Sequence, residues 1–145
     1  MANEAVWLEK PLGGTNPYQF TVASGTAISK GTLMVLSSDP RTAIASSGFN
    51  QVFVGIANAD KSASDGATRI GVDTEGIYDL TIVSAGNGST IALGDLVELS
   101  GANLIRGIQF GGISGAMYVS GAKLAFGRAL EIGSASEVIA VKIPA

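Results

Sequence analysis

The sequence predicts an all-β protein, built as a sandwich of short strands or as a partly closed β-barrel, and three observations support this fold class. Apolar and polar residues alternate with a period of two in short runs, such as Tyr18-Gln19-Phe20-Thr21-Val22. Gly, Ser, Asn and Asp, which favour turns, separate these runs. No apolar repeat with a period of 3.6 is sustained, so at most a short helical turn is expected.

The alternating runs are rich in β-branched and aromatic residues, which fit a pleated surface. Two of the clearest runs alternate at Val52, Val54 and Ile56, and along Tyr78-Asp79-Leu80-Thr81-Ile82. The predicted strands lie at residues 18–23, 32–37, 42–45, 51–58, 68–73, 76–83, 95–100, 103–106, 124–131 and 137–143. So many short strands in one chain of 145 residues predict one β domain, at residues 18–145.

Residues 1–17 are predicted to form an extended N-terminal arm. Pro11 and Pro17, together with Gly13 and Gly14, disfavour a continuous helix or strand. The arm nevertheless carries Trp7, the single tryptophan of the chain, and a free tail seldom exposes so much apolar surface. Either the arm packs on its own domain, or it docks on another subunit.

Similar segments recur in the same order in the two halves of the domain, which predicts an internal duplication with pseudo-repeats at residues 18–84 and 88–145. Residues 28–37 resemble residues 91–100, with Gly31 matching Gly94. Residues 54–57 resemble residues 126–129, and residues 62–65 resemble residues 134–137. The spacing between the matches grows along the chain, which predicts an insertion in the second half.

The insertion is placed at residues 107–121, a glycine-rich stretch that carries apolar side chains although loops are usually polar. It is interpreted either as a hairpin folded onto its own core or as a loop that contacts another subunit. If the insertion contacts another subunit and the arm docks on one, seven residues are candidates for an interface: Trp7, Leu8, Ile108, Phe110, Ile113, Met117 and Tyr118.

The composition excludes several kinds of chemistry. The chain has no Cys and no His, which excludes disulfides, thiol nucleophiles, zinc fingers, Ser–His catalysis and ordinary transition-metal sites. Its net charge is −3, without a basic cluster, so neither nucleic acid nor an anionic membrane is an expected partner. There is no signal-peptide pattern and no apolar run long enough to span a membrane, so synthesis in a cytoplasm is expected.

No motif of the chain predicts catalysis or a cofactor. Residues 30–32 read Lys-Gly-Thr, whereas a phosphate-binding loop needs Gly-Lys-Ser/Thr before a helix. Asp73-Thr74-Glu75-Gly76 differs from the Asp-Thr-Gly of aspartic proteases and has no second copy. The spacing of Asp60, Asp65, Asp73 and Glu75 fits no calcium loop. The chain is therefore not expected to be an enzyme, and no metal or cofactor is expected.

An ordered set of motifs resembles a family of small capsid cement, or decoration, proteins of tailed bacterial viruses, sometimes mislabelled as recombinase-like. These motifs are Gly31-Thr32-Leu33-Met34-Val35, Val54-Gly55-Ile56-Ala57, Glu75-Gly76-Ile77-Tyr78-Asp79-Leu80, Ile91-Ala92-Leu93-Gly94-Asp95-Leu96-Val97, Phe126-Gly127-Arg128-Ala129-Leu130-Glu131 and Val138-Ile139-Ala140-Val141-Lys142-Ile143. The resemblance covers residues 20–143, and the longer arm and the insertion depart from it. It implies a β-rich fold, no catalysis, and oligomers, often trimers, on the outer capsid surface.

The functional hypothesis is a virion structural protein that binds the major capsid protein on the outside of an icosahedral phage head and bridges capsomers. The partners expected are the major capsid protein and further copies of the chain, with a homotrimer favoured. The alternative is a carbohydrate-binding or adhesion β-domain of a virion surface or a tail fibre. Its sites usually expose aromatic residues beside polar ones, and the chain has few aromatic residues, 6% of its length.

Overall fold

The computed structural model describes residues 2–14, 17–108, 110–113, 116–119 and 125–144, and of residues 110–113 and 116–119 it describes the backbone alone. These residues form an all-β fold, as predicted, and contain no helix. The strands are β1 (Val6–Glu9), β2 (Tyr18–Thr21), β3 (Leu33–Leu36), β4 (Ala43–Ala45), β5 (Phe53–Ala57), β6 (Arg69–Asp73), β7 (Gly76–Ile82), β8 (Leu96–Gly101), β9 (Leu104–Gly107), β10 (Phe110–Ile113), β11 (Ala116–Val119), β12 (Gly127–Ala129) and β13 (Val138–Ile143).

Each of the predicted strands overlaps an observed one, because the period-two pattern reports which side chains alternate between a core and a surface. The start of the predicted strand at residues 124–131 lies outside the described residues. Strand β1 was not predicted, because the prolines and glycines of the arm disfavour a continuous strand. The strands β10 and β11 form an antiparallel hairpin within the expected insertion, where a hairpin was one of the two interpretations but no strand bounds were predicted.

Five strands in the C-terminal part of the chain close into a barrel, which we call the second barrel. Their order is β7-β13-β12-β8-β9, and β9 returns to pair with β7 in parallel at Thr81–Leu104 and Ile82–Ile105. The other pairings in the ring are antiparallel. Strand β1 is added outside the ring, on the part of the β7 edge that β9 leaves free.

Five strands in the N-terminal part of the chain form the first barrel, in the order β2-β6-β5-β3-β4. A parallel bridge between Thr21 and Thr42 joins the two ends of this sheet. The N–H of Thr21 donates to the Arg41 carbonyl at 3.0 Å, next to the bridge. Both barrels thus close through a parallel contact, while their other strand pairs are antiparallel.

The two barrels share one topology, since β2, β6, β5, β3 and β4 correspond in order to β7, β13, β12, β8 and β9. The bridge between Ile28 and Lys61 recurs between Ile91 and Gly133. In the first barrel the Gly31 N–H donates to the Ala57 carbonyl, and in the second the Gly94 N–H donates to the Ala129 carbonyl. These repeated bonds give a residue-by-residue correspondence between the barrels.

Two apolar clusters hold the fold together. The smaller cluster fills the first barrel, with Met34 and Val72 fully buried. The larger cluster combines residues of the second barrel with Leu33, Val35 and Ile56 of the first. Strand β3 is therefore buried on both faces, and burial of this kind is the main stabilising contribution to the fold.

Direct contacts also join the barrels. The rings of Phe53 and Phe126 stack with centroids 4.2 Å apart, one ring from each barrel. The fully buried Asn103 accepts a hydrogen bond from the Leu33 N–H at its side-chain oxygen, at 2.9 Å, and its own backbone N–H donates to the Ser46 hydroxyl oxygen at 3.0 Å. These bonds satisfy buried polar groups, so the two barrels have a defined relative position.

Candidate interaction site

The N-terminal arm contacts both barrels. Val6 and Trp7 of β1 pair with Asp79 and Tyr78 of β7 in the second barrel. The N–H of Ala5, which is buried, donates to the Gly31 carbonyl of the first barrel at 2.8 Å. The arm thus packs on its own chain over residues 5–9.

Trp7 is held by three contacts within the chain. Its indole N–H donates to Asp73 Oδ2 at 2.9 Å, and its ring meets Tyr78 edge-on, with centroids 5.3 Å apart. The Lys30 ammonium lies 5.2 Å from the centre of the indole ring, close enough for a cation–π contact. A contact between Trp7 and another subunit stays a prediction, with the indole already engaged in this way.

The groups beneath Trp7 are buried and polar. Asp73 is 1% exposed, and its Oδ1 has no hydrogen-bond partner among the described residues. The Tyr78 hydroxyl donates to the Glu75 carbonyl at 2.8 Å. Burial raises the pKa of Tyr78 above its ordinary value, and the nearby Asp73 carboxylate adds to the effect. The Tyr78 hydroxyl therefore stays protonated at neutral pH.

The other face of the arm is open to solvent. Leu8 is 51% exposed and Val6 is 56% exposed, while Leu12 lies beyond the strand with its side chain fully exposed. Adjacent residues of a strand point to opposite sides, which explains why Trp7 faces the protein and Leu8 faces outward. Of the two candidate interface residues in the arm, Leu8 is the one that presents free apolar surface.

The remaining candidates belong to the insertion. Ile108 is 7% exposed, so it offers little surface to a partner while the chain is alone, and its contact with another subunit stays a prediction. The hairpin pairs Phe110 with Val119 and Ile113 with Ala116. The side chains of Phe110, Ile113, Met117 and Tyr118 lie outside the described residues, as do residues 109, 114, 115, 120 and 121 of the insertion.

The carboxylates considered as a calcium site have separate structural roles. Asp60 accepts the Lys30 N–H at 2.7 Å, and Asp65 accepts the N–H groups of Ser62 and Ala67. The hydrogen bond from Ala67 is the main cause that lowers the pKa of Asp65. Across the described ranges, no group of three or more Asp, Glu, His or Cys residues could hold a metal ion. Nor does that part of the chain contain a helix that is long and apolar enough to cross a membrane.

Comparison with known proteins finds a likeness in structure alone. No protein-family model and no curated protein matches this chain. A solved structure does match, "The crystal structure of head fiber gp8.5 N base in bacteriophage phi29", with a TM-score of 0.50 over 89% of this chain and 93% of that chain. The two sequences are 15% identical, so the likeness concerns the fold: this chain has an all-β fold similar to that of the phage head fiber base.

Proposed function

We propose that this chain is a structural protein of a tailed-bacteriophage virion and that it binds the outer surface of the head as a decoration protein. The observation that supports the proposal most strongly is the match to the base of the phi29 head fiber, which extends over nearly the whole of both chains. It agrees with the resemblance to the capsid decoration family, which comes from sequence motifs in both barrels.

The mechanism that we propose is binding through many weak contacts. A capsid holds its subunits in fixed positions, so an oligomer of this chain gains affinity when several of its copies bind neighbouring capsomers together. In this proposal a homotrimer bridges capsomers, and each copy contributes a modest apolar contact. Anything that binds the assembled shell better than its separate subunits stabilises the shell.

The outward face of the arm is the proposed contact with the major capsid protein. Leu8 and Leu12 expose apolar surface while Trp7 holds the strand in place, so the contact residues are presented on an anchored strand. The proposed role requires neither catalysis nor a cofactor, and neither nucleic acid nor a membrane is among its proposed partners.

Co-sedimentation with heads of the phage that encodes this chain tests the proposal. The full chain is expected to pellet with heads and to reach saturation, and the variant Leu8→Asp is expected to bind about tenfold or more weakly, because it places a charge on the apolar contact. Ile44→Asp changes a similarly exposed residue of the first barrel and should bind normally. A full chain that stays in the supernatant would contradict the proposal, and normal binding by Leu8→Asp would contradict the role of the arm.

The purified chain also distinguishes the decoration hypothesis from the adhesion hypothesis. A carbohydrate-binding domain would bind glycans on an array in the absence of any head, whereas a decoration protein would give no signal there and would bind heads without added sugar.

A further inference from the structure

Four exposed aliphatic side chains lie together at one end of the second barrel, and we call them the second-barrel patch: Leu93, Leu130, Ile132 and Val138. Their exposed fractions are 67%, 38%, 74% and 54%. Backbone hydrogen bonds bring the segments together, because the N–H of Ile91 donates to the Gly133 carbonyl and the N–H of Gly94 donates to the Ala129 carbonyl. The N–H of Leu130 donates to the Ala140 carbonyl, which places it beside β13.

The first barrel provides an internal control for this surface. Under the correspondence of the barrels, the residues equivalent to the second-barrel patch are Lys30, Asn58, Asp60 and Arg69. All four are polar or charged, and Lys30, Asp60 and Arg69 are exposed. The same backbone therefore carries solvated side chains in one barrel and exposed aliphatic side chains in the other.

The surroundings of the two surfaces differ as well. The turn at Gly31 is covered by the arm, so that a Cβ atom added there would lie 2.6 Å from the Ala5 carbonyl oxygen. The equivalent turn at Gly94 is open, with nothing within 4 Å of an added Cβ. No described segment of this chain covers the second-barrel patch. Its area, on the order of a few hundred Å², equals that of the largest patches on ordinary monomers, which are often functional.

Exposed charged residues lie at both ends of the patch and between its members. Arg128 of β12 and Lys142 of β13 are opposite each other in the sheet register, so two cations lie at one end of these strands. Glu137 directly precedes Val138 at the other end, and Glu131 lies between Leu130 and Ile132, where its carboxylate accepts the Ala140 N–H at 3.0 Å. All four charged residues belong to exposed positions. A patch with one cation, Arg128, at one end and one carboxylate, Glu137, at the other is complementary to a second copy of itself, because in a closed symmetric assembly Arg128 of one copy can meet Glu137 of a neighbour.

We propose that the second-barrel patch binds a second copy of this chain, with Arg128 of one copy facing Glu137 of the next. The inference deepens the proposed function, since it identifies the surface through which copies associate before they bind a head, and it rests on that function for its biological setting. The assembly is measured without any head, so failure of the self-contact is distinguished from failure of head binding.

The sharpest test transfers the polar residues of the first barrel to the second. The variant Leu93→Lys with Ile132→Asp places the residue types of Lys30 and Asp60 at the equivalent positions, and in the first barrel the Asp60 carboxylate accepts the backbone N–H of residue 30. The variant is therefore expected to fold with an unchanged far-ultraviolet spectrum. In sedimentation equilibrium the natural chain is expected to have the mass of an oligomer and this variant the mass of a monomer. The control Ile44→Asp, at a residue 43% exposed in the first barrel, should remain an oligomer.

An exchange of charges tests the contact between Arg128 and Glu137. It also tests the proposal if the Leu93→Lys, Ile132→Asp variant fails to fold. Arg128→Glu is expected to weaken association by roughly tenfold, and Arg128→Glu combined with Glu137→Lys is expected to recover it, because the pair is restored between copies with its signs reversed. A natural chain that is monomeric at all concentrations would overturn the proposal. So would a folded Leu93→Lys, Ile132→Asp variant that keeps the oligomeric mass, or a charge exchange that recovers nothing.

Discussion

Trp7 shows at the scale of one residue how the arm is attached to the barrels. Its indole N–H is the donor that satisfies Oδ2 of Asp73, a carboxylate that is 1% exposed. A buried carboxylate oxygen without a donor costs free energy because it has lost its hydration. The tryptophan therefore contributes both an aromatic contact, against Tyr78, and a hydrogen bond to a buried acceptor.

We predict that Trp7→Phe lowers the free energy of unfolding by about 1–3 kcal/mol, because an aromatic ring remains while the donor to Asp73 is lost. Urea denaturation followed by circular dichroism measures the change. Leu8→Ala is the matched control in the same strand, and its effect should lie within about 0.5 kcal/mol because the side chain is largely solvated. Equal stabilities of Trp7→Phe and the natural chain would contradict the assigned role.

The turns at Gly31 and Gly94 show at the scale of elements what the arm adds to an otherwise repeated architecture. Both glycines have positive φ angles, +93° and +86°, which side chains rarely adopt. The arm covers the first turn and leaves the second one open. Any replacement thus strains both turns, but only at Gly31 does a side chain also collide with the backbone of the arm.

We predict that Gly94→Ala costs roughly 1–2 kcal/mol of stability from backbone strain and that Gly31→Ala costs more. The additional loss at Gly31 arises because the Ala5 carbonyl must move, which disturbs the pairing of β1 with β7. Chemical denaturation gives the two costs, and hydrogen exchange at residues 5–9 should rise in Gly31→Ala alone. Similar costs and unchanged exchange in both variants would mean that the arm is not seated on this turn.

The predicted strands are determined by the local sequence pattern, whereas the strands that were not predicted are determined by tertiary contacts. Strands such as β7 and β13 have one face in the core, so alternation along the chain reveals them. Strand β1 is four residues long beside Pro11, and it forms because the free edge of β7 accepts it, which is a tertiary effect. Likewise, the insertion could be located from the change in spacing between repeats, and a hairpin was one interpretation of it, but the bounds and register of its two strands could not be predicted.

The candidate site was predictable only in part for a similar reason. Sequence reasoning selected Trp7 and Leu8 together, whereas the strand geometry turns them to opposite sides. The second-barrel patch was not predicted, because Leu93, Ile132 and Val138 are scattered along the chain in segments that look like ordinary strand ends. A comparison of aligned repeats would have provided the signal, since it places Leu93 opposite Lys30.

At the scale of the whole molecule, the described residues form two barrels of one topology whose surfaces differ. In the first barrel the arm covers the turn at Gly31, and the residues equivalent to the second-barrel patch are polar or charged. In the second barrel the turn at Gly94 is open, and the patch residues are exposed and aliphatic. Charged residues make up 14% of the chain, below the usual quarter, and a surface of this kind suits a protein that is partly covered by partners.

The central claim, that this chain decorates phage heads, is tested most directly by the stoichiometry of binding. Purified chain is mixed at rising ratios with heads of the encoding phage, and the amount that sediments with the heads is measured per capsid. We predict saturation at a fixed number of copies that is a multiple set by the icosahedral symmetry of the head. Binding that never saturates, or no binding to heads that lack the chain, would contradict the claim.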